Sequence, residues 1–575
     1  MKSNSRPFWR FLLTFILLFN GLAWTILADD YDSRYGWPSM KAPERLIICS
    51  DAKGFEEDML LESLSGLAAK SVNEGRTNEM VWIGDPNQHP SYKRILDQSL
   101  QALKIQDIQQ MDLWNLVSYL KKKHIVKGYV LYSRDLSKKG EAKDYSSNVA
   151  TVYASLLDGV LIEESLEQEA KAHGLKLLKD ARHISPYTCF RQNKKKLNNS
   201  SALSVKTTVS NMRDYAIAHR LMLFADDHKL AEEILEWVRP LSPILGWGCG
   251  DEYEATSLIS EWGHYNTASD WCTNLPFITA AAPYIQLEEA HEVSPADIDF
   301  SNKEYVHSFV MSDGDNMQWT IGGFADNPKY AGNPHARETA VSWTLCPINL
   351  SVVSPVSWNI LCQKQGSLNS LIEYGGGYQY PDLFASKRPN RLELVREFAK
   401  RINHHMKKMN IKIFGALFED IDSKEAQEAM QIYAEELEDI TGMMAIQYFP
   451  YETGKHIYWY KNKKGIDIPM LTADFSIWDE VHARRPGCGT PEFVASMINR
   501  EAMAKKSFYS WTIVHAWSDF EKHSKITEAP ACGVNPVRAS ESLLIDGIRP
   551  VSFNELLWRV RMEYRPEQTK EILGK

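Results

Sequence analysis

The feature that most constrains the fold is a succession of short apolar runs in the second half of the chain, most of which end in polar or acidic residues. Segments with helical spacing, such as residues 391–409 and 423–440, lie between these runs. Six or seven parallel strands with interleaved helices predict a β/α barrel. In such barrels the functional groups gather at the carboxyl ends of the strands. The runs are residues 264–271, 305–316, 340–347, 411–420, 443–452, 468–474 and 507–519.

The first part of the chain differs, because three apolar runs are each followed by an amphipathic segment. Strand-then-helix units of this kind predict an α/β domain built from divergent repeats. Residues 210–241 then show a helical pattern throughout. We therefore place an N-terminal α/β repeat domain at residues 29–243 and a barrel domain at residues 244–575. The three units are residues 45–51 with 57–72, 80–85 with 92–105, and 127–135 with 148–166.

Residues 1–28 have the pattern of a secretory signal peptide. Lys2, Arg6 and Arg10 precede a short apolar run, as in the positively charged start of such peptides. The small residue Ala28 offers a cleavage point. We therefore expect an exported protein, periplasmic or secreted, that is not inserted in the membrane after signal cleavage.

The charge of the chain bears on its partners. The formal net charge is −9, and it would be −12 without the three cations of residues 1–28, which contain no acid. This argues against nucleic acid as a partner, because its binding depends on cationic side chains. The 17 Trp, 25 Tyr and 21 Phe fit a carbohydrate ligand, since aromatic faces stack on sugar rings, and they fit a large aromatic core equally well.

The strongest candidate for a chemical site is the sequence FVMSDGDNMQW, residues 309–319. The apolar run is followed by two carboxylates and an amide, Asp313, Asp315 and Asn316, with a glycine between the two acids. This pattern suits a turn, a cage of oxygen ligands for Ca²⁺ or Mg²⁺, or an acid/base catalytic site. Its place after a predicted barrel strand is where functional groups are expected.

A second acidic stretch, GWGCGDEYE, spans residues 246–254 and leads into a segment of helical pattern. Asp251 fits the N-cap of that helix best, because an aspartate there accepts hydrogen bonds from free backbone N–H groups. This leaves Glu252 or Glu254 to face a cleft.

A third stretch, EYGGGYQYPDLF, spans residues 373–384. Its glycine run gives the backbone freedom, and Pro381 stiffens the end of the loop. Such a loop can bring Tyr378 and Tyr380 over a ligand. The alternative is a surface turn with packed aromatic rings.

Residues 375–381, GGGYQYP, match in full the signature that names the GxGYxYP family. The segments DGDN, GDEYE and ASDW…NLP also resemble that family. The family is common in gut Bacteroidetes and is described as a family of glycoside hydrolases. The resemblance implies an N-terminal domain of three divergent repeats, a seven-stranded β/α barrel, and an active site in the cleft between them.

The resemblance also implies a catalytic triad of one glutamate and two aspartates. The aspartates are Asp313 and Asp315, and we favour Glu252 as the glutamate, with Glu254 as the alternative. An inverting glycosidase holds a protonated carboxyl group and a water-activating carboxylate roughly 6.5–9.5 Å apart. We expect Glu252 to be the acid, with a pKa raised by burial and nearby charge, and the aspartates to orient and deprotonate water.

Further side chains are expected to bind the sugar. Trp319, Tyr378 and Tyr380 would be stacking platforms, and Asn316 would bond a hydroxyl group. The substrate-binding candidates are Glu254, Asn316, Trp319, Tyr378, Tyr380, Glu419 and Asp420, and the same edge of the barrel would carry Glu452, Asp474 and His515.

Two other functions stay open at this point. A divalent metal at Asp313 and Asp315 would indicate a hydrolase similar to the polysaccharide deacetylases, to which His482 and His515 could contribute. A non-catalytic glycan-binding protein would use the carboxylates only to bond hydroxyl groups. The carboxylate mechanism needs no cofactor, and its expected partner is a polysaccharide or an oligosaccharide.

Overall fold

The computed structural model describes residues 34–134, 146–479, 485–522 and 530–574. Three small parallel sheets come first along the chain, and one large, mainly parallel sheet follows. Helices alternate with these strands, so the protein has the α/β fold expected from its sequence. The predicted signal peptide, residues 1–28, lies outside the described residues.

The first two units have the same construction, a three-stranded parallel sheet whose middle strand comes first in the chain. The first unit contains strands Arg45–Cys49, Glu79–Ile83 and Asp107–Gln110, helices Gly54–Asn73, Pro90–Leu103 and Leu113–Lys122, and a 3-10 turn at Pro86–Gln88. The second contains strands Gly128–Tyr132, Gly159–Glu163 and Leu177–Asp180, helices Ser146–Leu157, Glu167–Ala172 and Pro186–Asn193, and a 3-10 turn at Glu164–Leu166. This repetition agrees with the divergent α/β repeats that the sequence predicts.

The third unit is a four-stranded parallel sheet. Its strands are Ala202–Ser204, Met222–Phe224, Pro243–Leu245 and Tyr265–Thr267, its helices are Arg213–His219, His228–Trp237, Glu252–Glu261 and Leu275–Ala281, and a 3-10 turn spans Ala282–Tyr284. The single helix expected over residues 210–241 is wrong, because a strand divides it. The first helix ends at Arg220, whose φ is 54°, and the chain then enters the sheet.

The predicted domain boundary between residues 243 and 244 falls inside this third sheet. Strand Pro243–Leu245 pairs with Ala202–Ser204, and Tyr265–Thr267 pairs with Pro243–Leu245. The apolar run at residues 264–271 therefore belongs to the third unit. The first strand of the barrel sheet is Tyr305–Met311.

Seven parallel segments form the barrel sheet in the order in which they occur along the chain. They are Tyr305–Met311, Val341–Leu345, Leu371–Tyr374, Ile413–Phe418, Gly442–Gln447, Asp467–Thr472 continued by Phe475–Ile477, and Tyr509–Val514. The sixth segment is bent, because its first part pairs with the fifth strand and its second part with the seventh. The seventh strand pairs with the first, so the sheet curls round on itself as expected for a barrel.

The longest helix around the barrel, Arg391–Met409, buries one face and exposes the other. In helix Arg391–Met409 the buried residues Val395, Phe398, Ile402 and Met406 recur every three or four positions. The other helices are Met317–Trp319, Pro347–Val353, Pro355–Lys364, Lys424–Glu436, Pro491–Ala504, Val534–Glu541, Phe553–Tyr564 and Pro566–Ile572, with a π-helical turn at Thr320–Phe324 and accessory strands at Ile457–Lys461, Cys488–Gly489 and Ile548–Pro550.

Two general properties of the chain follow from the packing. All eight cysteines are buried and free, and Cys49 and Cys346 are core residues. Within the described residues, no helix is both long enough and apolar enough to cross a membrane.

A pair of buried carboxyl groups joins the first and third units. Glu62 lies on helix Gly54–Asn73, and the backbone N–H of Asp214 donates a hydrogen bond to its Oε2 atom at 3.0 Å. Burial raises the pKa of Asp214 to about 7. Burial, and then the nearby Asp214, raise the pKa of Glu62. The pair therefore retains protons at pH values where exposed carboxyl groups are ionised.

We expect the free energy of unfolding to fall as the pH rises from 5 to 8, because these groups hold protons more strongly in the folded protein than in the unfolded chain. Their contribution is complete below an unfolded-state pKa of roughly 4. It is lost as the pH passes the folded-state value for Asp214 of about 7. In Asp214→Asn the fall should be smaller, by on the order of 2 kcal/mol. Unfolding measurements at both pH values test this.

Asp546→Asn is the matched control, because Asp546 is exposed. It should show the same pH dependence as the wild type. An equal fall in wild type and Asp214→Asn would contradict the role of the buried pair.

Candidate active site

A cavity of about 370 Å³, here called the first cavity, lies between the third unit and the carboxyl ends of the barrel strands. Glu252, Asp313 and Asp315 all line it, so the three predicted catalytic side chains lie together. The other lining residues are Trp247, Ala268, Asp270, Trp271, Ser312, Asn316, Gln318, Tyr374, Tyr378, Leu417, Ile446, Tyr451, Trp478, Ile513, His515 and Trp517.

The two aspartates stand on a tight turn at the end of the first barrel strand. Asp313 has a φ of 67°, in the left-handed region that aspartate tolerates better than most residues. A Cβ on Gly314 would lie 1.4 Å from the carbonyl oxygen of Thr344, so only glycine fits between the acids. The Thr344 hydroxyl accepts from the Gly314 N–H at 3.2 Å and donates to a strand carbonyl at 2.8 Å. The neighbouring strand thus fixes the turn that presents Asp313 and Asp315.

The glutamate comes from helix Glu252–Glu261 of the third unit. Asp251 caps this helix as predicted, since its side chain accepts from the Glu254 N–H at 2.8 Å. Glu252 is half-buried and lines the first cavity. Glu254 is exposed and lies outside the lining. Of the two candidates left open by the sequence, the structure places Glu252 with the aspartates.

The glycine loop connects the barrel to the third unit. Its three glycines have positive φ, between 76° and 127°, which side chains with a Cβ rarely adopt. A Cβ on Gly377 would also lie 2.2 Å from the Tyr265 ring. Tyr378 and Asn266 exchange two backbone hydrogen bonds of 2.8 and 2.9 Å. The Tyr378 hydroxyl, held in this way, donates a hydrogen bond to Glu252.

A buried acid at the start of the loop fixes its backbone. Glu373 accepts from the N–H groups of Gly376 at 3.1 Å and Ile348 at 2.9 Å. Burial raises the pKa of Glu373 to about 8, and the charge of Asp315 contributes to the rise. Through these hydrogen bonds Glu373 fixes the backbone of the glycine loop. The sequence interpretation did not identify Glu373.

The carboxyl groups of the first cavity shift one another's protonation. Burial raises the pKa of Glu252, and Asp313 adds to the rise, while the hydrogen bond from Tyr378 acts in the opposite direction. Burial raises the pKa of Asp315 well above its usual range, and the charges of Asp313 and Glu252 raise it further. Burial also raises the pKa of Asp270. The cavity therefore favours the protonated forms of Glu252, Asp315 and Asp270.

The structure separates the predicted substrate-binding residues into three groups. Asn316 and Tyr378 line the first cavity. Trp319 lies in a neighbouring, larger cavity, which Asn316 also lines. Tyr380 is fully buried and packs against Tyr378 and Tyr448, so it supports the loop.

The remaining predicted acids lie outside the first cavity. Glu419 and Asp420 are exposed, and Glu419 accepts a hydrogen bond from Tyr253 at 2.5 Å. Glu452 is buried in an ion pair with Arg485 at 2.8 Å, and Asp474 is buried. A position at the end of a barrel strand therefore predicts more site residues than the structure contains. Acids at this edge of the barrel also take part in packing and in loop structure.

Several aromatic lining residues were missed by the sequence interpretation. Trp478 stacks on His515 with ring centroids 3.7 Å apart, and Tyr451 stacks on Trp478 at 4.8 Å. Trp247 packs against Tyr378 at 5.7 Å. These rings follow predicted strands or flank the GDEYE segment, and this proximity to strand ends is the signal that could have found them.

The alternative prediction was a divalent metal ion bound at Asp313 and Asp315. Among the described residues there is no group of three or more His, Cys, Asp or Glu side chains placed to hold a metal ion. His515 lines the first cavity. His482 lies outside the described residues.

The close approach at Gly314 gives a stability prediction. Gly314→Ala would force the turn away from Thr344, and we expect a loss of about 1–3 kcal/mol or more, as for other overpacked sites. Gly322→Ala is the control, because a Cβ there meets no described atom within 4 Å. Thermal unfolding of both variants tests this. Equal midpoints for the two variants would mean that the turn relaxes without cost.

Models of one protein family match three stretches of the chain. Residues 302–538 match the "GxGYxYP putative glycoside hydrolase C-terminal domain", residues 199–280 the "GxGYxYP third domain", and residues 126–216 the "GxGYxYP_N second domain". The matched stretches contain Glu252, both aspartates and the glycine loop. No curated protein matches the chain.

A solved structure shares the whole architecture. It is described as the crystal structure of "a putative hydrolase from Bacteroides thetaiotaomicron VPI-5482", with a TM-score of 0.76 and 19% sequence identity. The match covers 92% of this chain and 97% of the other, and at this identity it shows a common fold. Since the family models match successive domains in order over most of the sequence, the chain belongs to the GxGYxYP family.

Proposed function

We propose that the protein is a glycoside hydrolase that cleaves a polysaccharide or an oligosaccharide with carboxyl groups as acid and base. The observation that carries this proposal is the position of Glu252, Asp313 and Asp315 around one cavity at the carboxyl ends of the barrel strands. The family description supports a hydrolase of this class. Aromatic rings beside acids are the lining that a sugar-cleaving site needs.

Glu252 is the general acid in this proposal. Its raised pKa favours the protonated form, and it gives that proton to the glycosidic oxygen as the C–O bond breaks. Asp313 is the general base, which takes a proton from a water molecule as the water oxygen bonds to the anomeric carbon. Attack from the face opposite the leaving group inverts the configuration. Glu252 ends ionised and Asp313 protonated, and proton exchange with solvent restores both.

Asp315 has a different role here from the one expected from the sequence. Burial and two neighbouring acids favour its protonated form, so it is poorly suited to take a proton from water. A protonated Asp315 donates a hydrogen bond to the substrate or to the attacking water. It also adds no second negative charge beside Asp313.

Hydrolysis of a panel of plant and host polysaccharides, measured by reducing-end release, tests the mechanism. We expect release that EDTA does not affect, and rates about 10²–10⁴-fold lower in Glu252→Gln and Asp313→Asn, because each variant loses one proton transfer. Glu254→Gln is the matched control on the same helix and should retain wild-type rates. Proton NMR of the first product reports its anomeric configuration, which should be inverted.

The other outcomes are distinct. Full activity of Glu252→Gln would exclude it as the acid, and a product of retained configuration would exclude inversion. Release of acetate that EDTA abolishes would indicate a metal-dependent deacetylase. Binding without a product from any polysaccharide would indicate a glycan-binding protein.

The hydrogen bond from Tyr378 to Glu252 gives a prediction about pH. This bond favours the ionised carboxylate, so its loss in Tyr378→Phe should raise the pKa of Glu252 further. The acid must be protonated to act, and the alkaline limb of the kcat/KM profile should therefore move upward by on the order of one pH unit.

Tyr253→Phe is the control for this profile. It also removes a hydroxyl that bonds a carboxylate, but that carboxylate is Glu419, outside the first cavity. Its profile should match the wild type. An alkaline limb that stays in place or moves downward in Tyr378→Phe would contradict the assignment of Glu252 as the acid.

A further inference from the structure

A second cavity of about 790 Å³ lies beside the first, between the first α/β unit and the barrel. Residues of the first unit such as Trp82 and Gln88 line it, and so do Trp319 and Gly323 of the barrel domain. The two cavities share four lining residues and therefore adjoin. The shared residues are Trp271, Asn316, Gln318 and Trp517.

Large aromatic rings are exposed where the cavities meet. Trp271 is 73% exposed and Trp517 is 45% exposed. Leaving such surface in water is unfavourable, and it marks a binding surface when the rings lie together in a concave place. Trp319 packs against Trp517 with ring centroids 4.5 Å apart. These rings offer flat apolar faces of the kind that pack against the C–H faces of sugar rings.

A polar group at the junction, the side-chain oxygen of Asn316, has no hydrogen-bond partner among the described residues. Asn316 lines both cavities, and its buried Oδ1 atom accepts no hydrogen bond among the described residues. A buried acceptor without a donor is unfavourable, so a rotation of the Asn316 side chain toward a ligand hydroxyl in either cavity would gain a hydrogen bond. This observation is independent of the aromatic rings and points to the same junction.

The sides of the second cavity are fixed to each other. The Ser91 hydroxyl of the first unit donates to Asp326 of the barrel domain at 2.9 Å, and Arg94 pairs with the same carboxylate. Asn274 of the third unit bonds the backbone of Ile83 in the first at 2.7 and 3.1 Å. The cavity is therefore formed without a ligand, as binding sites for small molecules usually are.

The charges around both cavities restrict the ligand. The first cavity contains Glu252, Asp270, Asp313 and Asp315. Among the described residues, neither cavity is lined by a lysine or an arginine. An anionic sugar would lie beside Asp313, the carboxylate of the proposed base, with no lysine or arginine among the described lining residues to pair with, which is unfavourable in a partly buried site. The lining suits an uncharged chain.

We propose that the second cavity binds further sugar residues of the same neutral glycan chain whose bond is cleaved in the first cavity. The enzyme then acts on an extended, uncharged polysaccharide or oligosaccharide rather than on a disaccharide. This inference rests on the proposed function. Contacts in the second cavity contribute binding energy far from the reacting bond, which positions that bond between the acid and the base.

Gly323→Trp is the decisive variant. A Cβ at Gly323 meets no described atom within 4 Å, and its backbone is outside the left-handed region, so a bulky side chain can enter the cavity without displacing the core. Gly323→Ala is the matched control at the same position. Gln88→Trp obstructs the cavity from the opposite side, at an exposed residue of the first unit. Thermal unfolding of each variant tests whether it is folded.

The probes are xyloglucan, pectic galactan and arabinan as neutral polymers, with the disaccharides of the same linkages, and polygalacturonan as the acidic polymer. We expect a neutral polymer to be cleaved with a kcat/KM at least about tenfold higher than its disaccharide. Gly323→Trp and Gln88→Trp should remove this difference and leave disaccharide cleavage unchanged, and Gly323→Ala should keep it. Retardation of each variant in native gels containing the same polymers measures binding independently.

Each result separates the inference from the proposed function. If both tryptophan variants cleave the polymers at the wild-type rate and are retarded as strongly as the wild type, the inference is overturned. The hydrolase proposal is then unaffected. Retardation that Gly323→Trp abolishes, without cleavage of any probe, would contradict hydrolysis and support the second cavity as a glycan site. Preference for polygalacturonan, or neither retardation nor cleavage with the neutral polymers, would overturn the inference.

Discussion

The site depends on the contact between the third unit and the barrel, in which two backbone hydrogen bonds join Asn266 to Tyr378. The barrel supplies the aspartates, and the third unit supplies Glu252. The distance between these carboxyl groups therefore depends on how rigidly the two domains are held together. The bonds hold the glycine loop against the third sheet, and the Tyr378 hydroxyl then reaches Glu252. The signature glycines serve this contact, because a Cβ at Gly377 would overlap Tyr265.

Burial of acids gives the first cavity its chemistry, since no lysine or arginine lines it in the part of the chain that the structure describes. Each acid there loses hydration, and each ionised neighbour makes ionisation of the next one harder. Burial is the first cause of the raised pKa at both Glu252 and Asp315, and neighbouring charge adds to it. Such an arrangement costs stability in the empty protein, as functional sites often do, and in the proposed mechanism it holds a transferable proton beside a sugar oxygen.

Much of the architecture could be predicted because it depends on local patterns of apolar and polar residues in the sequence. The alternation of strands and helices gave the repeats and the barrel, and the DGDN and GGGYQYP segments identified Asp313, Asp315 and Tyr378. The strand at Met222–Phe224 was missed, since three residues are too few to interrupt a helical pattern. Glu419 and Asp420 were predicted to bind substrate, but they lie outside the cavity. The end of a strand does not reveal in which direction the following loop turns. Glu373 was missed because an acid within an apolar strand gives no sign of the N–H groups it accepts.

The division of the site between domains assigns different functions to the first and third repeats. The third unit carries the proposed acid, so the barrel alone would hold the base and the sugar platforms but not the group that protonates the leaving oxygen. The first unit lines only the second cavity, at residues such as Trp82 and Gln88. Changes in the first unit can therefore alter which glycan is bound without touching the carboxyl groups. An N-terminal domain of small, separate sheets suits this arrangement, because each sheet has its own core strands and can change at its surface while the others stay fixed.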